Sequence, residues 1–347
     1  GGWVDFIVPA DKPYPMEPLF TRDPQFIKDA DILMGMMVIK GIYAKHGVQS
    51  LNHGIGFNGA AIELLLPTYG EQLGLKGKIC RNWVLNPHPT LIPAIEAGWV
   101  ESVCAFGGEV GMEKYTEERS DIFFTGADGT LRSNRTLAQV AGLYAIDSFL
   151  GATLQMDYYG NSSTVTAGRL SGFGGAPNMG HNPGGRRHSS PAYHSLVEGK
   201  DTLHGGQKIV IQMLKSSGKK GNNFVPELDA IAIGRDAGME APPIMVYGED
   251  VSHTVTEQGI AYCYMAEDAE ERRLMLASIA QGTPFGEMVT KEQIEAFRKA
   301  GKVAYPEDLG IDRSMATKDL LACKNLEEIA ECSGGLYVVP EKFRKKD

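Results

Sequence analysis

The chain has 347 residues, of which 43% are hydrophobic and 22% charged, and its 43 acids outweigh 34 Lys and Arg to give a net charge of -9. That length holds two or three domain-sized units with a large core, and the acidic balance argues against a nucleic-acid partner, which needs a basic face. No apolar run approaches the roughly 18 residues of a membrane span, and five scattered cysteines without a CxxC pair suggest neither a disulfide framework nor a zinc site, so a reducing cytoplasm is the expected setting and no metal is expected.

In chain order, Val4 to Val8 reads as a short strand before the proline-marked loop Asp11 to Pro18. Asp23-Pro24 reads as a helix start, with Phe26, Ala30, Leu33 and Met37 at helical spacing and Gly47 as the stop; Met34, Met36 and Met37 read as core filler. Ser50 to Pro67 then predicts a strand, a glycine turn and an apolar helix, which puts Gly54, Gly56 and the amides of Phe57 to Ala60 where an anion or carbonyl oxygen binds. His53 and Asn58 beside that turn are candidate site residues. The spacing is not GxGxxG, and no acid stands where a ribose partner belongs, which disfavours a dinucleotide site.

Lys78 to Leu85 predicts a strand that Asn86-Pro87-His88-Pro89 ends, followed by a helix from Thr90 to Ala97 capped by Gly98. Val100 to Phe106 predicts a strand, Glu113 to Arg119 a helix, Asp121 to Phe124 a strand, and Ala127 to Gly129 a turn. Asn134 is placed to cap a helix that runs to about Asp147, ahead of a strand from Phe149 to Met156. Beyond the middle of the chain, strands are predicted at Lys208 to Leu214 and Ile244 to Tyr247, an exposed turn at Ser216 to Asn223, and a helix from Glu267 to Gln281 with a solvated charged face. Capping boxes are read at Thr290 with Gln293 and at Asn325 with Glu328. The strand and helix alternation predicts an α/β fold with a largely parallel sheet flanked by helices, whose ligands sit beyond the carboxyl ends of the strands.

The most unusual stretch is Gly168 to Pro191, GRLSGFGGAPNMGHNPGGRRHSSP. Seven of the eighteen residues from Gly168 to Gly185 are glycine, and the 40 residues from Tyr158 to Val197 hold no acid where about five are expected. Arg169, Arg186 and Arg187, with His181, His188 and His194, therefore read as a locally cationic pocket in an acidic protein. Gly172, Gly174 and Gly175 are free to take positive φ and let amides approach an oxyanion. The interleaved Phe173, Ala176, Pro177 and Met179 argue against a free linker.

The succession SLNHGIGFNGAAIELLLPTYGEQLGLKGKI, LNPHPTLIPAIEAGWVESV, GRLSGFGGAPNMGHNPGGRRHSSPAY and MVYGEDVSHTVTEQGIAY resembles the malonate decarboxylase α-subunit family over essentially all residues, and more distantly the CoA-transferase superfamily. The resemblance implies a CoA-transferase-like (NagB/RpiA-like) fold of which this chain is similar to the second half, with residues 1–20 a strand and linker from a preceding half and residues 21–347 the domain with a C-terminal helical extension. It implies a transferase that exchanges acetate for malonate on the thioester of an acyl-carrier protein, with decarboxylase subunits as further partners. No tightly bound cofactor is implied, only the CoA-like prosthetic group of the carrier. Alternatives are a CoA-transferase on free acyl-CoA and a non-catalytic scaffold half.

On this resemblance Gly174 and Gly175 occupy the oxyanion loop, Asn178, Arg186 and Arg187 are candidates for the malonate carboxylates, and Asn52, His53, Gly54, Gly56, Phe57, Asn58, Asn86, His88, Phe173 and Ala176 complete the substrate site. The superfamily's nucleophilic glutamate, in a Ser-Glu-Asn-Gly segment, has no counterpart, because Lys78 to Leu85 and Asn86-Pro87-His88 carry no acid. The implied choices are direct attack by malonate or a glutamate from elsewhere, Glu63 and Glu96 being nearest in sequence, although both sit in apolar helix patterns. Three further expectations follow: both glycine loops face one cleft, that cleft is open and inactive without the preceding half, and Phe57, Phe173 and Met179 form an apolar surface that is either solvent-accessible or covered by a second copy of the chain.

Overall fold

The central strands alternate their apolar residues between two clusters, which is why the sheet they form is covered on both faces. On β6 (Ile209–Met213), Ile209, Ile211 and Met213 pack into the main core while Val210 packs into a second cluster, and on β5 (Ser148–Ala152) Leu150 and Phe149 divide the same way. The computed structural model describes residues 5–12, 16–105, 107–131, 135–169, 172–182, 190–197, 206–219 and 221–344. Within them β1 (Ser50–His53), β2 (Asn82–Val84), β3 (Ser102–Cys104), β4 (Phe123–Phe124), β5, β6 and β7 (His253–Val255) run parallel. Antiparallel β8 (Ile260–Ala261) and β9 (Val303–Ala304) finish one edge, so the nine-stranded order is β9-β8-β7-β6-β5-β1-β2-β3-β4. No helix among the described residues is long and apolar enough to cross a membrane.

The main-core face is covered by α1 (Asp29–Val38), α2 (Phe57–Leu65) and α3 (Ile92–Glu96). On the way to the next strands lies α4 (Glu113–Glu118), and α5 (Arg135–Tyr144) and α6 (Ala176–Met179) cover the other face through Ala138 and Met179. The fully buried Lys208 ties that second layer together, its Nζ donating to the carbonyls of Gly142 and Met179 at 2.8 Å each.

Several expected elements form elsewhere or not at all. Residues 6–8 make no strand and are 86–89% exposed, Val4 lying outside the described residues. Asp23-Pro24 begins only a 3₁₀ turn, Pro24–Phe26; the helix starts at Asp29 because Ile27 and Lys28 are extended and the Asp31 carboxylate accepts from the Lys28 amide at 3.0 Å. Met34, Met36 and Met37 are buried filler as expected. α1 then runs into a π-helical turn, Ile39–Ala44. Thr90 begins no helix, a 3₁₀ turn, Pro89–Leu91, preceding α3. At Ile244 to Tyr247 there is only an isolated bridge from Val246 to Ser162, the preceding Pro242 and Pro243 having no amide to donate to a ladder. Both predicted capping residues, Thr290 and Asn325, cap their helices.

The last thirty residues are not an appendage. The Ala322 amide donates to the Leu64 carbonyl at 3.1 Å, Val338 donates to Gly111 at 2.9 Å, and Leu326 and Ile329 belong to the main core. Gly111, at φ 89°, leaves room for this return: a Cβ there would lie 2.0 Å from the Val338 carbonyl oxygen.

Under α1 and β7 two buried histidines face each other, His46 and His253, with ring centroids 5.3 Å apart. Ser195 and Ser252 hydroxyls meet their Nδ1 atoms at 3.0 and 2.8 Å, whereas both Nε2 atoms are buried without a partner among the described residues. Burial, with Lys45 beside it, pushes His46 down to about 4, and burial with His46 and Lys45 depresses His253 as well. Each is neutral in the fold and would take up a proton more readily unfolded, so stability is fully present above the ordinary histidine value of about 6.5 and falls as pH drops from there towards 4. For His46 the loss amounts to about 3 kcal/mol. Urea midpoints measured from pH 7 to 4 should fall less steeply in His46→Gln than in the unaltered protein; identical slopes would exclude this account.

Candidate functional site

Beyond the carboxyl ends of β1, β2 and β5 lies a cavity of about 720 Å³. Its walls include Asn52, His53 and Gly54 from the end of β1, Asn86 and His88 after β2, and Gly151 and Ala152 at the end of β5. The opposite wall is the glycine loop with α6: Gly172, Phe173, Gly174, Gly175, Ala176, Asn178 and Met179. The two glycine loops thus face one cleft, as the parallel order of these strands requires. Leu19 and Phe20 close a further side, because the Glu109 carboxylate accepts from the amides of Leu19, Phe20 and Thr21 at 2.9–3.2 Å and fixes this segment across the mouth.

Not every expected residue is there. Gly56 precedes α2, Phe57 and Asn58 begin it, and none of the three lines the cavity; Phe57 packs on the main core with the Arg22 guanidinium 6.0 Å from its ring centroid. Arg186 and Arg187 lie outside the described residues. The apolar surface expected from Phe57, Phe173 and Met179 does not form, since Met179 is 1% exposed and the two phenylalanines are half-buried. Asn52 is committed to the sheet, its side-chain amide donating to the Val84 carbonyl.

Of the three glycines expected at positive φ only Gly174 takes it, at 61°, while Gly175 follows at φ -85°. A left-handed residue followed by a right-handed one turns consecutive amides to the same side, and neither the Gly174 nor the Gly175 amide has an acceptor among the described residues. Two unpaired N–H groups at a cavity wall suit a developing oxyanion. The charge of the loop is less unopposed than its local sequence implies. Asp229 accepts from the Thr166 hydroxyl and the Ala167 and Gly168 amides at its base, and Asp250 meets His181 at 3.2 Å and the Asn182 amide at 2.9 Å.

Behind the β1 and β2 wall, Glu63 of α2 is 0% exposed and binds three side chains. Its Oε1 lies 3.0 Å from both His53 Nδ1 and His88 Nδ1, and Oε2 accepts from the Thr90 hydroxyl. Burial opposes the charge, yet His88 and His53 with their hydrogen bonds hold the carboxyl at about 2, so Glu63 is an anion and both Nδ1 atoms carry protons towards it. His53 Nε2 then accepts from the Tyr43 hydroxyl at 2.9 Å, which the π-helical turn brings inward, and burial keeps His53 neutral. His88 stacks on Phe20 at 5.5 Å and is one of the residues that line the cavity, and no partner of its Nε2 is found among the described residues.

Neither glutamate considered for a nucleophile offers one. Both oxygens of Glu63 are engaged by His53, His88 and Thr90, and Glu96 of α3 does not line the cavity and binds the Tyr115 hydroxyl at 2.6 Å and Arg119. The central role of Glu63 was the feature least visible in sequence. A lone acid within GAAIELLL, read together with the His88 and Thr90 of NPHPT, is the signal that points to it, because a buried carboxylate must find donors.

A parallel α/β sheet with one glycine-walled cavity at its strand ends is the arrangement in which such sheets bind small ligands. The family described as malonate decarboxylase, alpha subunit, transporter matches residues 1–346, and the chain belongs to that family. It is 52% identical over 351 residues to the acetyl-S-ACP:malonate ACP transferase of Malonomonas rubra, covering 99% of this chain and 63% of that protein. Among solved structures it is similar to a chain of a Pseudomonas malonate decarboxylase hetero-tetramer in complex with malonate (58% identity, TM-score 0.93, 99% of this chain and 63% of that one). It is equally similar to the malonate decarboxylase alpha subunit of Acinetobacter baumannii (58% identity, TM-score 0.92, 99% and 64%). The chain thus spans a little under two thirds of the length of these relatives.

Proposed function

We propose that this chain provides the acyl-exchange site of an acyl-carrier-protein transferase, in which malonate replaces acetate on the carrier's thioester. The observation that carries this reading is the pair of unpaired amides, Gly174 and Gly175, on the wall of a 720 Å³ cavity. In the reaction a malonate carboxylate adds to the acetyl thioester carbonyl, whose oxygen becomes negative against those amides. Expulsion of the thiolate leaves a mixed acetic–malonic anhydride, and return of the sulfur to its malonyl carbonyl releases acetate and forms malonyl-S-carrier. Direct attack agrees with the engagement of Glu63 and Glu96 elsewhere. Arg186 and Arg187, with Asn178, are proposed to hold the malonate carboxylates, Arg being suited to bidentate pairing.

The thioester arm is the carrier's CoA-like prosthetic group, and the acyl-carrier protein and decarboxylase subunits are the proposed partners. All five cysteines are free, in keeping with a cytoplasmic setting. The test uses the complete protein with acetylated carrier and isotopically labelled malonate, following label into the carrier-bound thioester. Label incorporation with stoichiometric release of acetate is expected, and slower turnover with free acetyl-CoA; incorporation from acetyl-CoA alone would replace this reading with that of an ordinary CoA-transferase.

A further inference from the structure

We propose that His88 gives a proton to the departing thiolate and takes it back before the return attack, and that Glu63 positions it for both steps; this rests on the exchange reading above. The chemistry requires such a group. Once malonate has added to the thioester, the tetrahedral intermediate expels either a carboxylate, of pKa about 4, or an alkyl thiolate, of pKa about 8.5. The carboxylate is the better leaving group by roughly four units, so the unaided intermediate reverts to starting materials. A proton delivered to sulfur as the C–S bond breaks removes that disadvantage.

His88 is the group placed to deliver it. It lines the cavity, its Nδ1–H is held by the buried Glu63 anion at 3.0 Å and Phe20 stacks on its ring, which leaves Nε2 as the nitrogen available to the reaction. His53 shares the same carboxylate oxygen but cannot compete, since its Nε2 is occupied by the Tyr43 hydroxyl and the residue is 2% exposed. Protonated His88 transfers its Nε2 proton to sulfur as the thiolate leaves, giving a thiol, a neutral imidazole and the mixed anhydride. The neutral Nε2 then removes the thiol proton as sulfur attacks the malonyl carbonyl and acetate departs, which restores the imidazolium with no net proton change. Glu63 compensates the imidazolium charge, and Thr90 fixes its second oxygen.

The experiment uses the complete decarboxylase complex and two acyl donors, the acetylated carrier and acetyl 4-nitrothiophenol, whose thiolate leaves without protonation. In His88→Asn the side-chain amide reproduces the Nδ1–H bond to Glu63 while Nε2 is lost. Exchange from the carrier should fall by about 10²–10⁴-fold, whereas malonate-dependent release of nitrothiophenolate should fall less than about tenfold. Equal losses on both donors, or no loss on the carrier, would overturn the proposal. Glu63→Gln supplies a second readout: exchange from the carrier should fall while release of nitrothiophenolate falls less, the same split between donors as in His88→Asn, which a loss of fold alone would not produce. Equal losses on the two donors in Glu63→Gln overturn the positioning role. Absence of exchange in the unaltered complex would remove the proposed function and this inference with it, while normal exchange with the equal-loss pattern removes the inference alone.

Discussion

Replacing Glu63 by alanine is expected to destabilise the fold by about 3–5 kcal/mol, the largest loss from any single polar side chain described here. The carboxylate accepts from His53, His88 and Thr90, all at most 6% exposed, so its removal strands three donors where water cannot reach them. Each stranded donor costs on the order of 1–3 kcal/mol, less whatever the site recovers by collapse. Charge alone does not set this scale. The Arg81 and Glu101 pair is closer, at 2.6 Å, but its side chains are 38% and 51% exposed, and Glu101→Gln should cost under about 1 kcal/mol. Guanidinium unfolding of both variants at pH 7 checks the contrast: similar midpoints, with unchanged slopes, would show that the buried network contributes no more than a surface pair.

The second large effect is expected at Gly174. A valine there meets no neighbour, because a Cβ at this position has open space within 4 Å, so the fold should be retained. What valine cannot do is hold φ at 61°, where its branched side chain meets its own backbone. The loop must relax, and both free amides leave the cavity wall. Loss of a single oxyanion donor costs about 10²–10³-fold in turnover, and two amides move here, so exchange should fall by at least about 10²-fold with little change in stability. Gly174→Asn, which tolerates the left-handed region, should retain more activity than valine. Equal activity in the two variants would separate the loop from the chemistry.

The sheet was legible because its signals are local. The strand Ile209–Met213 is apolar on both sides, Ile209, Ile211 and Met213 on one and Val210 on the other, and the SLNHGIGFNG stretch carries its strand, turn and helix start in adjacent residues. The common cleft followed from strand direction alone. What was not legible depends on contacts between distant positions. The Asp23-Pro24 start looked sufficient for a helix, but the Asp31 cap on Lys28 decides where it begins. Asp229 and Asp250 enter a loop whose own sequence has no acid, and Leu19 and Phe20 reach the cavity only because Glu109, some ninety residues on, holds them. Phe57 and Asn58 are the first residues of α2 and are not among the residues that line the cavity, whereas Asn52 to Gly54, at the end of β1, are.

The return of the last thirty residues onto the first third of the fold has a consequence for how the protein is made. Strands β1 to β4 are made before the segment that covers them, and the Leu64 carbonyl, the Gly111 carbonyl and the core around α3 wait for Ala322, Val338 and Leu326. At roughly 5–20 residues per second the interval is on the order of ten to forty seconds, during which an apolar flank of the nascent chain stays uncovered. A chain released early, by a stop codon near Ala316, would keep every cavity residue and still be recognised as unfinished by chaperones and proteases.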